Sequence, residues 1–444
     1  MQRQAATANG LQRRIRDLDF AQVADPREAR KVKVHLPALL AALVTAMVTK
    51  ARSLRAVEQR TAQLTHKLGS WLGLIGRVAD NTFSKLLPRL PCADLVACLQ
   101  RLVKAEHRRG NLKPTRLAAG AIAIDGKNTA TLHWHDLCRV LDLDEATATP
   151  AQVKEQLAAR YPAAQFCQPK DGQPYALMRV HTVTLISAAA APCIHLRPIE
   201  GATNEAGAMP ALLAELAGAY GRTGLIHLVT TDAGNTACGI QGQIRDTGWH
   251  YCAQIKSEHG DLYKEAERVL GPRRRARAVA SYTDTENGEL CTYHLWCYDL
   301  EGAGWLDWTH ARQLLRVERI AEKPHNGERT VGNRYYVTSL APDELGPKAA
   351  LSTTRAHWRC ELETHWTADA ELGEDRRRLA WSRHPDGVLA VMAIRMMALA
   401  ILAVARRLSR LGYTRETPTW HQVAEHFLLA LCGSVLETAA FDDA

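Results

Sequence analysis

The segment Ala121-Ile122-Ala123-Ile124-Asp125 indicates the fold class, because it is a short apolar run that ends in an acid. Residues 225–231 form a second apolar run, which is followed by Asp232. Such runs are typical of buried β-strands. A carboxylate at the end of a strand can project from the sheet edge into a cleft. We therefore expect two neighbouring strands, each with an acid at its carboxyl end.

The segments between and after these runs predict a mixed α/β sheet. From residue 116 the order of predicted elements is β-β-β-α-β-α-β, because apolar residues alternate in some segments and follow helical spacing in others. The remaining predicted elements are strands at residues 180–186, 193–199 and 251–255, a helix at 205–219 and a helix that runs through Gln241. Asp125 and Asp232 then lie at the ends of the first and fourth strands.

Changes in patterning divide the chain into four regions. They are an N-terminal helical domain at 1–115, the first part of a core at 116–256, a β-rich insertion at 257–342 and the last part of the core at 343–444. In the first region, residues 81–87 are either the second helix of a helix-turn-helix or an ordinary amphipathic helix. In the last region, the spacing predicts a long helix at 349–366 and a buried closing helix at 387–408.

The charge balance favours a polyanionic partner. The 444 residues include 56 Lys and Arg against 47 Asp and Glu, which gives a net charge of +9. A single basic cluster is usually a solvated surface, but several clusters in a basic protein favour phosphate binding. The candidate phosphate-binding residues in these clusters are Arg108, Arg109, Arg273, Arg274, Arg275 and Arg376.

The cysteines and the apolar runs indicate the compartment. The 11 cysteines include no CxxC pair and no signal sequence is recognisable, so we expect a reduced cytoplasmic environment. The apolar run at 37–48 is too short to cross a membrane, and the run at 388–405 carries Arg395 in its middle. Both runs predict buried helices, and we expect no association with a membrane.

Asp125 and Asp232 together indicate binding of a hard divalent cation. Mg²⁺ prefers a few carboxylates, completed by water and phosphate oxygens. Two such ions about 3.5–4 Å apart can activate a hydroxyl group and stabilise the leaving oxygen of a phosphodiester. A single acid after a strand is more often a turn former or a helix cap, so the prediction depends on the pair. A third acid on a helix would complete the site.

A series of short blocks resembles one known family. The blocks are Ala-Ile-Asp-Gly-Lys at 123–127, Val-His-Thr-Val-Thr at 180–184, Thr-Asn-Glu at 203–205, Thr-Thr-Asp-Ala at 230–233, Arg-Tyr-Tyr-Val-Thr-Ser-Leu at 334–340 and Arg-Ala-His-Trp-Arg-Cys-Glu at 355–361. Together they resemble bacterial insertion-sequence transposases of the DDE type, in the group that includes the H-repeat-associated proteins. The resemblance runs in order over nearly the whole chain.

The resemblance implies a ribonuclease H-like core, with the β-rich insertion placed before the helix that carries the last acid. By position it implies that Asp125, Asp232 and Glu361 are the catalytic and metal-binding acids, with Mg²⁺ as cofactor and Mn²⁺ as a substitute. The implied activity is cleavage of double-stranded DNA at terminal inverted repeats and joining of the freed 3′ hydroxyl to target DNA. Residues 1–115 would bind the DNA ends, and Lys127 would hold a backbone phosphate. A homodimer or a larger synaptic assembly on the bacterial nucleoid is implied.

The block around the last acid departs from the family pattern. His357 occupies the position of an arginine in that pattern, Thr354 that of a tyrosine and Ala368 that of a lysine. His357 either contacts a phosphate or orients Glu361, or it is a buried histidine that packs under Trp358. Two other functions remain open: a ribonuclease H-like nuclease without strand transfer, and a domesticated DNA-binding protein without cleavage.

Overall fold

The computed structural model describes residues 2–64, 74, 76–201, 203–272, 277–302, 305–374, 381–408 and 417–439. Its centre is a mixed parallel and antiparallel sheet, and the chain is of the α/β class. The strands are β1 Ala121–His133, β2 Ala164–Cys167, β3 Tyr175–Thr184, β4 Cys193–Pro198, β5 Leu228–Thr231, β6 His250–Ile255, β7 Ala280–Glu286, β8 Glu289–Asp299, β9 Gln313–Glu322 and β10 Arg329–Thr338.

The strand order across the sheet is β2-β3-β1-β5-β6-β10-β9-β8-β7, and β4 pairs with the second half of β3. Strands β1, β5 and β6 are parallel, whereas β3 is antiparallel to β1. Because β10 pairs with β6, the strands of the predicted insertion extend the central sheet. The predicted order β-β-β-α-β-α-β for residues 116–256 is found, with a short strand and two helices added between the first two strands.

The prediction that the first strand ends at Asp125 is wrong. Strand β1 continues to His133, because β3 pairs with it from Ala123 to His133. Only the pairing with β5 stops early, at Ile124 and Thr231. Asp125 therefore lies inside a strand, at the point where the neighbouring strand ends.

Helices surround the sheet and form the N-terminal region. They are α1 Gln2–Asp17, α2 Leu36–Val48, α3 Leu54–Gln63, α4 Asp80–Leu86, α5 Cys92–Arg108, α6 Trp134–Val140, α7 Pro150–Arg160, α8 Glu205–Tyr220, α9 Cys238–Asp246, α10 Gly260–Leu270, α11 Pro347–Ala356, a π-helical segment at Cys360–His365, α12 Trp366–Leu372, α13 Pro385–Leu408 and α14 Trp420–Ala439. Helix α4 corresponds to the helix expected at residues 81–87.

Helix α13 joins the N-terminal helices to the sheet. Within the described chain it is long and apolar enough to span a membrane, yet the whole apolar window is buried in the protein. It packs against α2 and α5 on one side and against β3 and β4 on the other. This confirms the buried closing helix predicted from the sequence. The opposite face of the sheet is covered by α11, which packs against β7 and β8.

Candidate functional site

Asp125 and Asp232 lie side by side on neighbouring parallel strands. The last paired residues of β1 and β5 are Ile124 and Thr231, so the next residue on each strand is an aspartate. Neighbouring strands are about 4.8 Å apart, which brings the two carboxylates close together. The Asp125 side chain is 17% exposed, so it lies at the bottom of a depression rather than on the surface.

A short turn holds the carboxylate of Asp232. The chain leaves β5 in a 3₁₀ turn, Ala233–Asn235, with Asp232 as its N-cap. Asp232 Oδ1 accepts hydrogen bonds from the backbone N–H of Asn235 and from its side-chain Nδ2, each at 3.0 Å. These two donors orient one oxygen and leave Asp232 Oδ2 outside the turn.

The surroundings of Asp125 come from its own strand, from β3 and from the π-helical segment. The backbone N–H of Gly126 donates to Asp125 Oδ1 at 2.9 Å. His365 Nδ1 lies 3.6 Å from Asp125 Oδ2, and His365 Nε2 hydrogen-bonds Thr182 Oγ1 at 2.6 Å. Burial lowers the pKa of His365 to about 3, so the ring is neutral at pH 7 and offers Asp125 no positive charge. The Cys360 thiol also faces Asp125 Oδ2, at 3.6 Å.

Four carboxylates interact in this depression. Burial, followed by the negative charges of Asp232, Glu361 and Glu205 in that order, raises the pKa of Asp125 to about 7. Glu205 Oε2 also accepts a hydrogen bond from Asn235 Nδ2 at 3.3 Å. The charges of the other two acids predicted from the sequence therefore reach Asp125, and Glu205 adds a fourth carboxylate. Glu205 belongs to the quoted Thr-Asn-Glu block, but the sequence alone gave it no role.

Glu361 and Glu363 have different surroundings, although both lie in the π-helical segment. Glu361 is exposed and acts on the pKa of Asp125. Glu363 Oε1 lies 3.4 Å from Arg359 Nη2 and 3.8 Å from Arg407 Nη2, which makes it part of an ion-pair network. The helical stretch predicted at 349–366 is present as α11 followed by this π-helical segment, with a turn at residues 357–358 between them. π-Helical turns occur frequently at functional sites.

Lys127 is buried in an ion-pair network. Its Nζ donates to both carboxylate oxygens of Asp369, at 2.9 and 3.0 Å, and lies 3.6 Å from Glu374 Oε2. Arg395 Nη1 lies 3.5 Å from the other oxygen of Glu374. Lys127 is therefore committed to carboxylates in the protein rather than presented to a phosphate, and the network fixes α12 and α13 beside β1.

His357 is buried under the sheet. Its Nδ1 shares a hydrogen bond of 2.9 Å with Thr230 Oγ1, and its ring packs edge-on against Trp358. Burial lowers the pKa of His357 to about 4, so the ring is neutral at pH 7. This placement is the second of the two alternatives considered for His357.

The predicted phosphate-binding arginines have different environments. Arg108 is exposed, whereas Arg109 pairs with Asp17 at 2.6 Å and with Glu106 at 3.0 Å. Arg273, Arg274, Arg275 and Arg376 lie outside the described residues. Near Glu363 the structure groups four further arginines that the sequence did not connect, because they come from distant segments: Arg116, Arg359, Arg406 and Arg407.

The donor types in the depression fit a hard divalent cation, since carboxylates are the ligands that Mg²⁺ prefers. The buried Asn235 Oδ1 adds an oxygen without a hydrogen-bond partner in the described part of the chain. In their present positions, however, no three His, Cys, Asp or Glu side chains among the described residues are close enough to hold one ion. Asp125, Asp232 and Glu361 are the residues that would bind such a cation.

Comparison with protein-family models and with curated protein sequences gives no match for this chain.

Proposed function

We propose that this protein is a DNA transposase of the DDE type. It would cleave DNA at transposon ends with the help of Mg²⁺ or Mn²⁺ and join the 3′ hydroxyl to target DNA. The observation that carries the proposal is the side-by-side placement of Asp125 and Asp232, with Glu361 near enough for its charge to raise the pKa of Asp125. Burial and mutual repulsion of these carboxylates are costly for a structural site, and bound cations would offset that cost.

The sheet supports a ribonuclease H-like core as the finer description of the fold. Strands β4, β3 and β1 form an antiparallel set, and β5 and β6 follow β1 in parallel. The two aspartates lie on the central strands of this arrangement, and the segment that carries Glu361 packs on β1 and β3. The long β7–β10 extension lies between the second and third acids in the sequence.

The protein groups have distinct parts in the proposed reaction. Asp125, Asp232 and Glu361 would hold the cations, and Asn235 keeps Asp232 oriented through two hydrogen bonds. Divalent cations, when bound, activate the attacking hydroxyl group and stabilise the leaving oxygen. Neutral His365 fixes the wall of the depression through Thr182 and adds no positive charge there. Cation binding would keep Asp125 ionised below its raised pKa.

Basic side chains support DNA as the partner. Arg108 and Arg116 are exposed in a protein of net charge +9. Arg406 and Arg407 lie beside Glu363, two residues from Glu361. Arginine binds phosphate through a planar fork of donors, so these side chains suit the DNA backbone on either side of the scissile bond. Joining of two ends requires a homodimer or a larger assembly.

A paired-end assay tests the proposal. A donor plasmid would carry the DNA that flanks the coding sequence on both sides of a marker, and a second plasmid would serve as target. Incubation with the purified protein and Mg²⁺ is expected to yield target molecules that contain the marker. Cleaved donor without joined product would instead support a nuclease. DNA binding with neither product would support a DNA-binding protein without activity.

A further inference from the structure

Glu205 lies beside the proposed metal acids, although it comes from a separate element. It is the first residue of α8, and Asn204 caps that helix by accepting a hydrogen bond from the N–H of Gly207 at 2.8 Å. An acid in the first turn of a helix is normally explained by the helix dipole. The carboxylate of Glu205, however, makes its contacts on β1, β3 and the turn after β5.

Asn235 links Glu205 to Asp232. Its Nδ2 donates one hydrogen bond to Asp232 Oδ1 at 3.0 Å and another to Glu205 Oε2 at 3.3 Å. The other oxygen of Glu205 lies 3.5 Å from Arg179 Nη2. The Asn235 amide thus hydrogen-bonds both carboxylates. Arg179 supplies the positive charge next to Glu205.

Two fully buried polar side chains in this cluster have unused hydrogen-bonding atoms. Asn235 and His181 are both 0% exposed. Asn235 Oδ1 and both ring nitrogens of His181 have no hydrogen-bond partner among the described residues. Burial lowers the pKa of His181 to about 4, although a side-chain interaction with Asn235 acts to raise it, so the two side chains are neighbours. Buried polar atoms are normally satisfied, so Asn235 Oδ1 is an oxygen that a bound cation or water could use.

Gly126 makes room for the Glu205 carboxylate over the strand. A Cβ atom at position 126 would collide with the carboxyl group of Glu205. Gly126 directly follows Asp125 and lies opposite His181 on β3. The missing side chain therefore allows a carboxylate from α8 to approach the strand that carries Asp125.

We propose that Glu205 is a fourth carboxylate ligand of the divalent-cation site, beside Asp125, Asp232 and Glu361. Asn235 holds its carboxylate by a hydrogen bond, and the missing side chain at Gly126 gives it room. The inference rests on the proposed metal-dependent function. A bound cation would replace Arg179 as the counter-charge of Glu205, and Asn235 Oδ1 would offer one further oxygen at the site. Sites with more charged ligands bind divalent cations more tightly, so Glu205 would contribute to affinity.

Mn²⁺ binding to the full chain tests this inference without any activity measurement. The loss of the free Mn²⁺ resonance in electron paramagnetic resonance gives the dissociation constant, in the presence of duplex DNA of random sequence. Glu205→Gln is expected to weaken Mn²⁺ binding at least about tenfold, because even the loss of a group that only orients a metal ligand costs about ten- to a hundredfold in affinity. Glu200→Gln removes an exposed carboxylate five residues earlier and is expected to leave Mn²⁺ binding unchanged.

Gly126→Ala gives an independent variant that keeps the Glu205 charge but displaces it. It is expected to weaken Mn²⁺ binding in the same direction, and the double variant is expected to be no weaker than Glu205→Gln alone, since both changes act on one contact. If Glu205→Gln folds poorly, Gly126→Ala decides the question.

The outcomes separate this inference from the proposed function. Unchanged Mn²⁺ affinity in Glu205→Gln, or in Gly126→Ala where the first variant does not fold, would overturn the role of Glu205. If Asp232→Asn has lost Mn²⁺ binding in the same experiment, the proposed function stands without the fourth ligand. A parent protein that binds no Mn²⁺ would overturn both proposals.

Discussion

Glu361 and Glu363 are separated by one residue, and their surroundings predict opposite results on substitution. Glu361→Gln removes an exposed carboxylate that acts on Asp125, so we expect metal-dependent DNA cleavage to fall at least about a hundredfold. Glu363→Gln removes a partner of Arg359 and Arg407, so cleavage is expected to stay within a few-fold of the parent. A plasmid-nicking assay with Mg²⁺ compares the two. The reverse ranking would mean that the third acid is Glu363.

The raised pKa of Asp125 predicts a dependence of stability on pH. Between pH 4 and 7 the folded protein keeps a proton on Asp125 that the unfolded chain releases, so the free energy of unfolding falls as the pH rises. Asp125→Asn removes this loss. Without divalent cations, the variant should exceed the parent in stability at pH 8 by at most about 4 kcal/mol, since the pKa rises from 3.8 to about 7 and each unit is worth about 1.4 kcal/mol.

Urea unfolding at several pH values measures this difference between the two proteins. The advantage of Asp125→Asn should disappear below pH 4, where Asp125 is protonated in both states. Asp343→Asn, which changes an exposed aspartate, is the control and should show no such advantage at any pH. An equal advantage at pH 4 and pH 8 would show that the charge on Asp125 has no part in it.

The two aspartates could be predicted from sequence because each directly follows a buried apolar run, and such a pattern depends only on local residues. Glu205 could not be assigned a role in the same way. Its carboxylate reaches the site because α8 begins beside β1 and because residue 126 has no side chain, and both conditions are tertiary. The apolar spacing over 205–219 predicted the helix but not where its first side chain lies.

Arg359 fixes the segment that carries Glu361 to the sheet. Its guanidinium is buried and donates to the backbone carbonyls of Ile186, Ala188 and Ala189, which join β3 to β4. Arg359→Met removes these buried hydrogen bonds, and in the described part of the chain only the carbonyl of Ala188 keeps another donor, the N–H of Ala191, so we expect a loss of about 2–4 kcal/mol in the free energy of unfolding. Urea denaturation measures the loss. Lys348→Met changes an exposed cation on α11 and should cost less than about 0.5 kcal/mol.

A cost for Arg359→Met as small as that for Lys348→Met would show that the guanidinium does not anchor this segment.

The contacts of Arg359 also explain why the element boundaries in this part of the chain were not predictable from sequence. Spacing over residues 349–366 is compatible with one α-helix, and the π-helical turn at Cys360–His365 is fixed by tertiary contacts of Arg359, Thr364 and His365. Likewise, the length of β1 depends on its pairing with β3.

On the scale of the whole molecule, net charge predicts salt-dependent DNA binding. Each phosphate contact contributes about −0.9 to the slope of log affinity against log salt. Arg108 and Arg116 are exposed, so the double variant Arg108→Gln/Arg116→Gln is expected to flatten the slope by about 1.8 if each arginine contacts one phosphate. Fluorescence polarisation of a labelled duplex over a range of NaCl concentrations gives the slope.

Lys264→Gln provides the control for this experiment. Lys264 is exposed and pairs with Asp261 on α10, so its loss is expected to leave the slope unchanged. An unchanged slope in the double arginine variant would assign Arg108 and Arg116 to the solvated surface.

The packing of the four predicted regions against one another is also a property of the whole molecule. The helices at both ends of the chain share one hydrophobic core with the sheet. Sequence patterning divides the chain into regions but carries no information on such long-range contacts.

Cleavage by the parent and by Asp232→Asn is the measurement that tests the central claim most directly. Asparagine keeps an oxygen acceptor for the two Asn235 donors but coordinates Mg²⁺ weakly, so the variant is expected to fold and to bind DNA within a few-fold of the parent. On a supercoiled plasmid that carries the flanking DNA, the parent is expected to nick only with Mg²⁺ or Mn²⁺, and Asp232→Asn is expected to show no nicking above background. Nicking by Asp232→Asn at the rate of the parent would contradict the metal-dependent site described here.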